Sequence, residues 1–502
     1  MANVISLKNI SLAFADKVIF DEAAFKCTDQ ERICIVGDNG AGKSTLLKII
    51  TGAIEPDDGQ IDKDARTRTH YVPQEFLPAD LDLSIDGYIQ KYCSAGHFQK
   101  VFTYGNQLGF DLHKNKDKIC RALSGGQQKI LALSTGVALA PNFLLLDEPE
   151  NHLDIVSRIE LINILQNYRG GVLFVSHDQL MIDSVAEKVA EVAGAKIHMS
   201  EGGYQAYINS RLMRIEGLQK AFDTEAKRIR QVEASISILA KKAFRGKEVS
   251  AYKRAKEELA EMKESHSGGR PEDKRTQIKI KQGNTKLNDG KLLLRLTDAG
   301  FRYPELKADT FRKVSLEIRV GSHVVLLGRN GSGKSTFLKC LTGDLPLSTG
   351  EVFWADGISF TYFDQHAEFD QTKTPTEVVK ALLKVDTEKA RAILGSMKFV
   401  PRKMDTAIAN LSGGERMRIR FGLVFGPSPD FIILDEPTNH LDEVTWQILL
   451  EACNNSKSTI FLVTHDYEFI TEFNPKIFWL LKNHTIEERA KELEDLVEEL
   501  RS

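Results

Sequence analysis

The sequence contains one set of glycine-rich, acidic and histidine motifs twice, in the same order and at the same spacing. Each set opens with a segment of the form G-x-x-x-x-G-K-[ST], which begins at Gly37 and again at Gly328. A glutamine follows that glycine by 37 residues in both sets, and a glutamate precedes a histidine by 29 residues in both. This shared register indicates a duplicated domain and constrains the fold more than length or composition does.

Length and composition fit a globular protein of two or three domains, because the 502 residues are 42% hydrophobic and 27% charged. No stretch approaches the roughly 18 consecutive apolar residues of a membrane span. The start of the chain lacks the pattern of a secretory signal. The six cysteines are scattered, without the spacing of a metal site. We therefore expect a cytoplasmic protein with structural, reduced thiols and no membrane partner.

Short apolar runs alternate with helical patterns in residues 1–200 and again in residues 291–484. Runs such as Arg32–Val36 are typical of buried strands, and strands that alternate with helices predict a largely parallel sheet. The expected fold class is therefore α/β, with two tandem P-loop nucleotide-binding domains joined by a helical-hairpin linker.

The linker is predicted over residues 201–290, where apolar residues recur at helical spacing in two runs around a basic, glycine-containing tip. The first helix should have about 30 residues and a length of about 45 Å, and a flexible return should follow the second. Residues 485–502 carry an apolar stripe among acidic residues. This stripe predicts an amphipathic helix that packs on the second domain, with a fraying tail as the alternative.

The two glycine-rich segments are predicted to bind the phosphates of a nucleotide. Their glycines permit backbone angles that point successive N–H groups at phosphate oxygens, and the following helix adds its positive end. A surface turn could mimic one match, but the second copy and the later motifs argue against that. The predicted nucleotide-binding residues are Gly37, Asp38, Asn39, Gly40, Ala41, Gly42, Lys43, Ser44, Thr45, Gly328, Arg329, Asn330, Gly331, Ser332, Gly333, Lys334, Ser335 and Thr336.

Asp147 and Asp435 each end an apolar strand, which is where a Mg²⁺-binding acid belongs in phosphoryl transfer. The serine after each loop lysine can bind the same ion through its hydroxyl. ATP and Mg²⁺ are therefore the predicted cofactors. The predicted Mg²⁺ ligands are Ser44, Gln74, Asp147, Ser335, Gln365 and Asp435.

Catalytic roles are predicted for Glu148, Glu436, His177 and His465. Each glutamate follows a strand-end aspartate and is placed to polarise a water molecule in line with the γ-phosphate. Each histidine follows another apolar strand and could contact the γ-phosphate. A solvated strand end and a structural histidine are the alternatives, and the matched spacing of both copies disfavours them.

Leu-Ser-Gly-Gly occurs at residues 123–126 and 411–414, and small residues at a helix start suit a γ-phosphate. With this motif the chain resembles an ATP-binding-cassette ATPase with two cassettes. The resemblance implies that Lys43 shares one ATP with the second motif, and that Lys334 shares the other with the first, within one monomer. It adds the nucleotide-binding residues Ser124, Gly125, Gly126, Ser412, Gly413 and Gly414.

Phe14 and Tyr303 fall at the family's adenine-stacking position, upstream of each phosphate loop. An aromatic ring there can stack on the base of a nucleotide. The alternative is that both are ordinary core aromatics.

Asn-His-Leu-Asp follows both catalytic glutamates, and this motif resembles the ABC-F class of cassette proteins. That resemblance implies an ATP hydrolase that binds the ribosome at the tRNA exit site, with rRNA and peptidyl-tRNA as partners, and that regulates translation or protects ribosomes from antibiotics. The chain departs from the class at Glu150, where threonine is usual, and at Gln179–Leu180. These departures bear on the rate of hydrolysis.

Residues 211–290 hold 20 basic and 12 acidic residues, although the whole chain has a net charge of −3. A basic insert between acidic modules suggests a polyanionic partner, and RNA phosphates would attract it in a salt-dependent manner. An exposed aromatic at the tip could stack on a base, or could be a hydrophobic staple in a solvated helix. The predicted RNA contacts are Lys241, Lys242, Phe244, Arg245 and Lys247.

Two other functions fit parts of the sequence. A cassette ATPase that acts on DNA structures or repair could use the same basic hairpin, but zinc cysteines and very long coiled coils are missing from the sequence. A transporter ATPase subunit with a separate membrane partner would share the cassettes, but the duplicated set of motifs with a basic insert between the copies argues against it.

Overall fold

The computed structural model describes residues 3–15, 17–38, 40–243, 254, 256, 259, 290–305, 308–363, 369–439, 441–490 and 492–501. The chain divides into two compact units. One unit consists of Met1–Met199 with Ile278–Ser502, and the other consists of Ser200–Gln277. The first unit contains almost all of both repeats, named here cassette one (residues 3–201, which includes the end of its last strand) and cassette two (residues 290–501).

Cassette one combines a three-stranded antiparallel sheet with a larger, mainly parallel sheet and its helices. Its strands are β1 (Val4–Phe14), β2 (Lys17–Thr28), β3 (Arg32–Val36), β4 (Asp58–Lys63), β5 (Thr69–Val72), β6 (Phe143–Asp147), β7 (Gly171–Val175), β8 (Lys188–Ala193) and β9 (Lys196–Glu201). Its helices are α1 (Lys43–Thr51), α2 (Ile85–Tyr92), α3 (Phe98–Gln107), α4 (Gly125–Ala138), α5 (Ile155–Gln166) and α6 (Gln179–Val185).

The second unit is dominated by one helix, α7 (Tyr204–Ala243), which has 40 residues. It is longer than the predicted helix because Tyr204 already lies in its first turn and Gly217 does not interrupt it. At 1.5 Å per residue its length is about 60 Å. Most of the predicted second linker run lies outside the described residues, although Arg254, Lys256 and Leu259 are helical.

Cassette two repeats the two-sheet layout. Its strands are β10 (Leu292–Phe301), β11 (Phe311–Arg319), β12 (Val324–Gly328), β13 (Thr349–Trp354), β14 (Phe360–Phe363), β15 (Phe431–Asp435), β16 (Thr459–Val463), β17 (Ile477–Lys482) and β18 (Thr485–Arg489). Its helices are α8 (Lys334–Thr342), α9 (Pro375–Leu383), α10 (Thr387–Ser396), α11 (Gly413–Phe425), α12 (Glu443–Asn455), α13 (Tyr467–Phe473) and α14 (Leu493–Arg501).

The six-stranded sheets have matching strand orders, β5-β6-β7-β3-β8-β9 and β14-β15-β16-β12-β17-β18. The pairs β5–β6, β6–β7 and β7–β3 are parallel, as are their counterparts in cassette two. The carboxyl ends of parallel strands meet at one edge of a sheet. Each phosphate loop, each strand-end aspartate and each motif histidine therefore lies at the same edge of its sheet.

The apolar core of cassette one packs β1, β2 and α1 against the central sheet, with Phe20, Leu47 and Leu145 almost completely buried. A core of cassette two includes Ile155 and Val156, which belong to the start of α5 in cassette one. The two cassettes therefore share apolar packing at this point.

The predicted C-terminal helix over residues 485–502 is wrong in its first part, because Thr485–Arg489 form strand β18. β17 and β18 make an antiparallel hairpin in which Lys482 pairs with Thr485. The two residues between them, Asn483 and His484, have φ of 52° and 62°, the left-handed geometry that two-residue hairpin loops require. The helix itself begins only at Leu493.

No helix in the described part of the chain is both long enough and apolar enough to cross a membrane.

Candidate functional site

The two glycine-rich loops match in backbone geometry at their second and third glycines: Gly40 and Gly331 have φ of 76° and 75°. Each leads from the central strand of its sheet into α1 or α8, through a glycine in the left-handed region: Gly42 has φ 111° and Gly333 has φ 109°. A Cβ atom on Gly42 would lie 2.6 Å from Cγ2 of Ile19. Glycine is required here for both reasons. The loop can thus present its own N–H groups and the free N–H groups of the helix start to a phosphate.

The loop lysines lie across these cradles. Nζ of Lys43 donates to the carbonyl of Gly37 at 2.8 Å, and Nζ of Lys334 donates to the carbonyl of Gly328 at 2.9 Å. Burial lowers the pKa of both lysines, and acidic neighbours oppose that change. An ammonium group held by carbonyls at the centre of the loop is well placed to exchange them for phosphate oxygens.

A hydroxyl and a carboxylate meet in each cassette where the sequence predicts Mg²⁺. Oγ of Ser44 donates to Oδ1 of Asp147 at 3.1 Å, and Ser335 forms a hydrogen bond with Asp435. Oδ1 of Asp435 is buried without a hydrogen-bond partner among the described residues, so it is an acceptor available to a cation. These hard oxygen ligands fit Mg²⁺, which takes one or two carboxylates and completes its shell with water and phosphate.

A cage made of protein acids alone does not occur in the part of the chain that the structure describes. There, no group of three or more His, Cys, Asp and Glu side chains could hold a metal ion.

Two tyrosines near the predicted Mg²⁺ ligands were not predicted from the sequence. The hydroxyl of Tyr71 donates to Oδ2 of Asp147 at 2.8 Å, and that of Tyr362 donates to Oδ2 of Asp435 at 3.3 Å. Each tyrosine stands three residues before the motif glutamine of its cassette. That matched offset was the signal that could have identified them as partners of the strand-end acids.

The predicted bases, Glu148 and Glu436, have left-handed backbones with φ of 44° and 47°. This unusual conformation for a non-glycine residue turns the side chain out of the strand direction. Oε2 of Glu148 accepts hydrogen bonds from Nδ2 of Asn151 and Nε2 of Gln74, both at 2.6 Å. Gln74, predicted to bind Mg²⁺, therefore contacts the predicted base in this structure.

Glu436 differs from Glu148 in its electrostatic surroundings. Burial raises its pKa to about 7, and the nearby Lys334 opposes the rise. Nε2 of His465 lies 3.5 Å from Oε1 of Glu436. A carboxyl group with a pKa near neutrality is suited to general-base work.

Both motif histidines are neutral at neutral pH. Burial and, to a smaller extent, the charge of Lys43 lower the pKa of His177 to about 4. Burial and Lys334 likewise lower the pKa of His465. Nε2 of His177 and both ring nitrogens of His465 are buried without a hydrogen-bond partner among the described residues. A neutral imidazole has one N–H to donate, which suits the predicted contact with a phosphate oxygen.

The Ser-Gly-Gly segments begin α4 and α11. Oγ of Ser124 accepts from the N–H of Gln127 at 3.3 Å, and Oγ of Ser412 accepts from the N–H of Glu415 at 3.2 Å. Both helix starts are capping boxes. An accepting hydroxyl keeps its own hydrogen to donate, so each serine can cap its helix and still bind a phosphate.

The start of α4 in cassette one lies against the phosphate loop of cassette two. The N–H of Asn330 donates to Oδ2 of Asp154 at 2.8 Å, and its Nδ2 donates to the carbonyl of His152 at 2.6 Å. A Cβ atom on Gly126 would lie 3.0 Å from Nδ2 of Asn330. The structure thus brings the first Ser-Gly-Gly segment to the second loop.

The reverse pairing, of the second Ser-Gly-Gly segment with the first phosphate loop, is indicated by the charges around Lys43 in cassette one. Asp442 of cassette two raises the pKa of Lys43 and of His177 against their burial. A Cβ atom on Gly414 would lie 2.5 Å from Oδ2 of Asp442. The second Ser-Gly-Gly segment therefore stands beside a carboxylate that acts on the first pocket.

Comparisons with known proteins agree with this geometry. A family model described as ABC transporter matches residues 20–151 and 311–439, together more than half of the chain. ATP-binding protein Uup of Buchnera aphidicola is 31% identical, over 99% of this chain and 84% of that protein. ATP-binding cassette sub-family F member 3 of Mus musculus is 27% identical, over 96% of this chain and 72% of that protein.

The chain belongs to the ABC-F family of ATP-binding-cassette proteins. It is an ATPase with two tandem cassettes of α/β fold, as the sequence predicted. The archaeal ribosome recycling factor aABCE1, solved with the ribosomal stalk protein aP1, shares the fold with a TM-score of 0.64 and 19% identity. That match covers 94% of this chain and 87% of the other.

The aromatic residues at the predicted adenine position differ between the cassettes of this ABC-F protein. Phe14 is 49% exposed at the end of β1, which is the setting of a stacking platform. Tyr303 is partly buried, packs edge-on against Phe301 at 4.9 Å and bonds Oγ1 of Thr336 at 3.1 Å. Base stacking stays a prediction for both residues, and Tyr303 also meets the description of a core aromatic.

Several predicted site residues of this ABC-F chain lie outside the described residues. These are Asn39, Phe244, Arg245, Lys247 and Gln365. The predicted RNA contacts Lys241 and Lys242 belong to the last turn of α7.

Proposed function

We propose that this ABC-F ATPase binds the ribosome in its ATP-bound form, at the tRNA exit site, and leaves after hydrolysis. In the bound state it contacts rRNA and peptidyl-tRNA, and it modulates translation or protects the ribosome from antibiotics. Glu148 and Glu436 act as the bases, Lys43 and Lys334 hold the phosphates, and the strand-end aspartates with their serines hold Mg²⁺.

The observation that carries the proposal is the 40-residue helix α7, which follows cassette one in the sequence. It exposes Lys220, Lys227, Arg228 and Arg230. Positive charge on a long helix attracts RNA phosphates without regard to sequence. The attraction weakens as the salt concentration rises, because releasing counterions from the RNA then gains less free energy. This helix provides the surface that a ribosomal RNA partner would need.

The contacts between the cassettes support ribosome binding that depends on the bound nucleotide. The hydrogen bonds from Asn330 to Asp154 and His152 join the loop that holds one ATP to the other cassette. A ligand that binds one arrangement of two bodies better than another shifts the population toward it. ATP can therefore select the joined form, and hydrolysis removes that preference.

Structures of the same fold add a further argument. One is named as an archaeal ribosome recycling factor, and another as a model of ribosome-bound archaeal Pelota and ABCE1. The sequence identity of 19–20% carries only the fold. The shared architecture is thus one that other tandem-cassette proteins bring to the ribosome.

The test uses a variant with Glu148→Gln and Glu436→Gln together, which should retain ATP because both bases are lost. It is mixed with ribosomes at low salt and centrifuged through a sucrose cushion with ATP or ADP. We expect co-sedimentation with ATP only, and a loss of co-sedimentation as salt rises. The matched control is Lys43→Ala with Lys334→Ala, which should stay in the supernatant with either nucleotide.

A trapped variant that remains free of ribosomes at low salt would show that the proposal is wrong. Pull-downs treated with ribonuclease or with deoxyribonuclease test the DNA alternative. A DNA-bound protein would keep its nucleic-acid partner after ribonuclease treatment and lose it after deoxyribonuclease treatment. Recovery of the native protein with membranes would favour the transporter alternative.

A further inference from the structure

One buried lysine breaks the match between the helices that follow the two Ser-Gly-Gly segments. Five residues after Ser124 stands Lys129, and five residues after Ser412 stands Met417. Both lie in the second turn of corresponding helices, α4 and α11. Cassette one therefore carries a cation at a position where cassette two carries an uncharged thioether.

The ammonium group of Lys129 is surrounded by backbone carbonyl groups. The residue is only 4% exposed. Its Nζ donates to the carbonyls of Pro73 at 3.0 Å, of Gln74 at 3.2 Å and of Asp147 at 3.0 Å. A protonated lysine has three N–H donors, so these three acceptors match its full capacity and replace the water that burial removes.

The carbonyl groups belong to two segments that both end at the first ATP pocket. Gln74 stands two residues after the end of β5, and Asp147 is the last residue of β6. The two strands run in parallel, and their last pair is Val72 opposite Leu146. Lys129 therefore joins both strand ends to α4 at a point beyond the last pair of the strand ladder.

Gln74 and Asp147 are both predicted Mg²⁺ ligands of the first pocket. The carboxylate of Asp147 is oriented by other contacts, because Oδ1 accepts from Ser44 and Oδ2 accepts from Tyr71. These bonds set the direction of the side chain. Lys129 adds a link between the two backbones from which the predicted ligands extend.

Met417 cannot make such a link in cassette two. A thioether has no hydrogen-bond donor, and Met417 packs against an apolar core of that cassette. The contact made by Lys129 therefore has no counterpart at the corresponding position of the second pocket.

The helix that carries Lys129 has support of its own. α4 begins with a capping box at Ser124, and Leu131 and Leu133 are completely buried. Capping and apolar burial should hold α4 in place without the ammonium group. A change at Lys129 can therefore remove the link between the strand ends and leave the first Ser-Gly-Gly segment where it is.

We propose that Lys129 is a positioning residue that sets the geometry of the Mg²⁺ site in the first pocket, by holding the backbones of Gln74 and Asp147 at a fixed separation. Groups that hold metal ligands without touching the metal change its affinity by about 10–100-fold. The second pocket has methionine at this position. The two ATP sites are therefore unequal in how their metal ligands are held.

The experiment compares metal-bound and metal-free ATP at one pocket at a time, in the full chain. Glu148→Gln with Lys334→Ala is the first-pocket parent, which should keep ATP in the first pocket only. Glu436→Gln with Lys43→Ala is the second-pocket parent, which should keep ATP in the second pocket only. Lys129→Met, the change that matches cassette two, is added to each parent.

Two dissociation constants are measured for each protein. Electron paramagnetic resonance of the metal gives the Kd of Mn²⁺-ATP, and calorimetry in EDTA gives the Kd of metal-free ATP. In the first-pocket parent we expect Lys129→Met to raise the Kd of Mn²⁺-ATP about tenfold and to leave that of metal-free ATP within about twofold. In the second-pocket parent both constants should stay within about twofold.

Three further variants complete the test. The proposal rests on the proposed roles of Asp147 and Gln74 as Mg²⁺ ligands, so Asp147→Asn in the first-pocket parent should by itself raise the Kd of Mn²⁺-ATP. Lys129→Gln is shorter and keeps two N–H donors, so it should raise that Kd by at least about threefold. It decides the question if Lys129→Met does not fold. Lys100→Met, at an exposed lysine of α3, should change neither constant.

Each outcome has a defined meaning. If Lys129→Met raises both constants by the same factor, the proposal is wrong, because the lysine then supports the whole pocket and not the metal ligands. An equal rise in the second-pocket parent, or no rise in a first-pocket parent that Asp147→Asn does weaken, would overturn this proposal alone. If Asp147→Asn has no effect, the assignment of the Mg²⁺ ligands and this proposal both fail.

Discussion

At the scale of single residues, Glu150 shows how a difference in residue type changes the hydrogen bonding at corresponding positions of the two cassettes. The corresponding residue of cassette two, Thr438, shares a hydrogen bond of 2.7 Å with Thr464. Glu150 accepts instead from Oγ of Ser176 at 2.6 Å. Its other oxygen is buried without a hydrogen-bond partner among the described residues. Burial raises the pKa of Glu150 from 4.5 to about 7, and Asp178 adds to the rise.

We predict that Glu150→Thr makes stability less dependent on pH. A carboxyl whose pKa is raised in the folded state contributes its full share below the unfolded pKa and loses it as pH rises to the folded value. The native protein should therefore lose free energy of unfolding as pH rises from 4.5 to about 7. Urea denaturation at about pH 5 and about pH 8 measures the free energy of unfolding. The loss between these two pH values should be smaller in Glu150→Thr than in the native protein, by up to about 3 kcal/mol. The exposed Glu75→Thr is the control, and equal pH dependence in all three proteins would contradict the prediction.

At the scale of residues, the sequence indicates which side chains lie close together only where spacing fixes their place in the fold. Equal offsets sufficed to predict that Lys43, Asp147 and His177 would meet, since parallel strands bring their carboxyl ends to one edge. Spacing could not reveal that Gln74 turns to Glu148, because the direction of a side chain depends on neighbours far away in the chain. Nor could it show that Arg158 on α5 and Trp446 on α12 donate hydrogen bonds to the corresponding aspartates Asp178 and Asp466.

At the scale of elements, the C-terminal helix α14 belongs to the core of cassette two. Leu496, Val497 and Leu500 are almost completely buried in that core. Arg501 forms an ion pair with Glu160 on α5 of cassette one. The apolar stripe of this segment predicted the packing, but period alone did not separate the strand β18 from the helix, because Ile486 fits both patterns.

We predict that apolar burial and not the ion pair holds α14 in place. Leu496→Ala should lower the free energy of unfolding by about 3 kcal/mol, because a buried leucine leaves a cavity. Arg501→Ala should lower it by less than about 1 kcal/mol, because one partner of the pair is partly exposed and screened by solvent. Urea denaturation of both variants measures the difference, with the half-buried Leu493→Ala as an intermediate control. A larger loss in Arg501→Ala than in Leu496→Ala would contradict this order.

At the scale of the whole molecule, the duplicated sequence predicted two cassettes but not the details of their boundary. The hydrogen bonds of Asn330 and the insertion of Ile155 into the other core involve residues about 170 positions apart or more, and such pairings leave no periodic trace in the chain. The linker was underestimated for a related reason: its helix starts earlier than the apolar pattern indicated.

We predict that joining the cassettes permanently stops turnover while ATP still binds. Glu160→Cys and Arg501→Cys place two thiols on facing helices of different cassettes, where a short thiol cross-linker can span them. The six native cysteines are buried and burial raises their pKa values, so they should react little. The cross-linked protein should hydrolyse ATP at least about tenfold more slowly, if release requires separation. Each single cysteine variant, treated in the same way, should keep the native rate; full activity after complete cross-linking would show that separation is not needed.

The bond between Asp154 of one cassette and Asn330 of the other has a genetic corollary. Two inactivating mutations that lie far apart in the gene, one in each cassette, can both affect a single ATP pocket and leave the other pocket intact. Two alleles within one cassette can strike both pockets together. How the effects of two mutations combine therefore depends on which pocket the two residues share, and not on how far apart their codons lie.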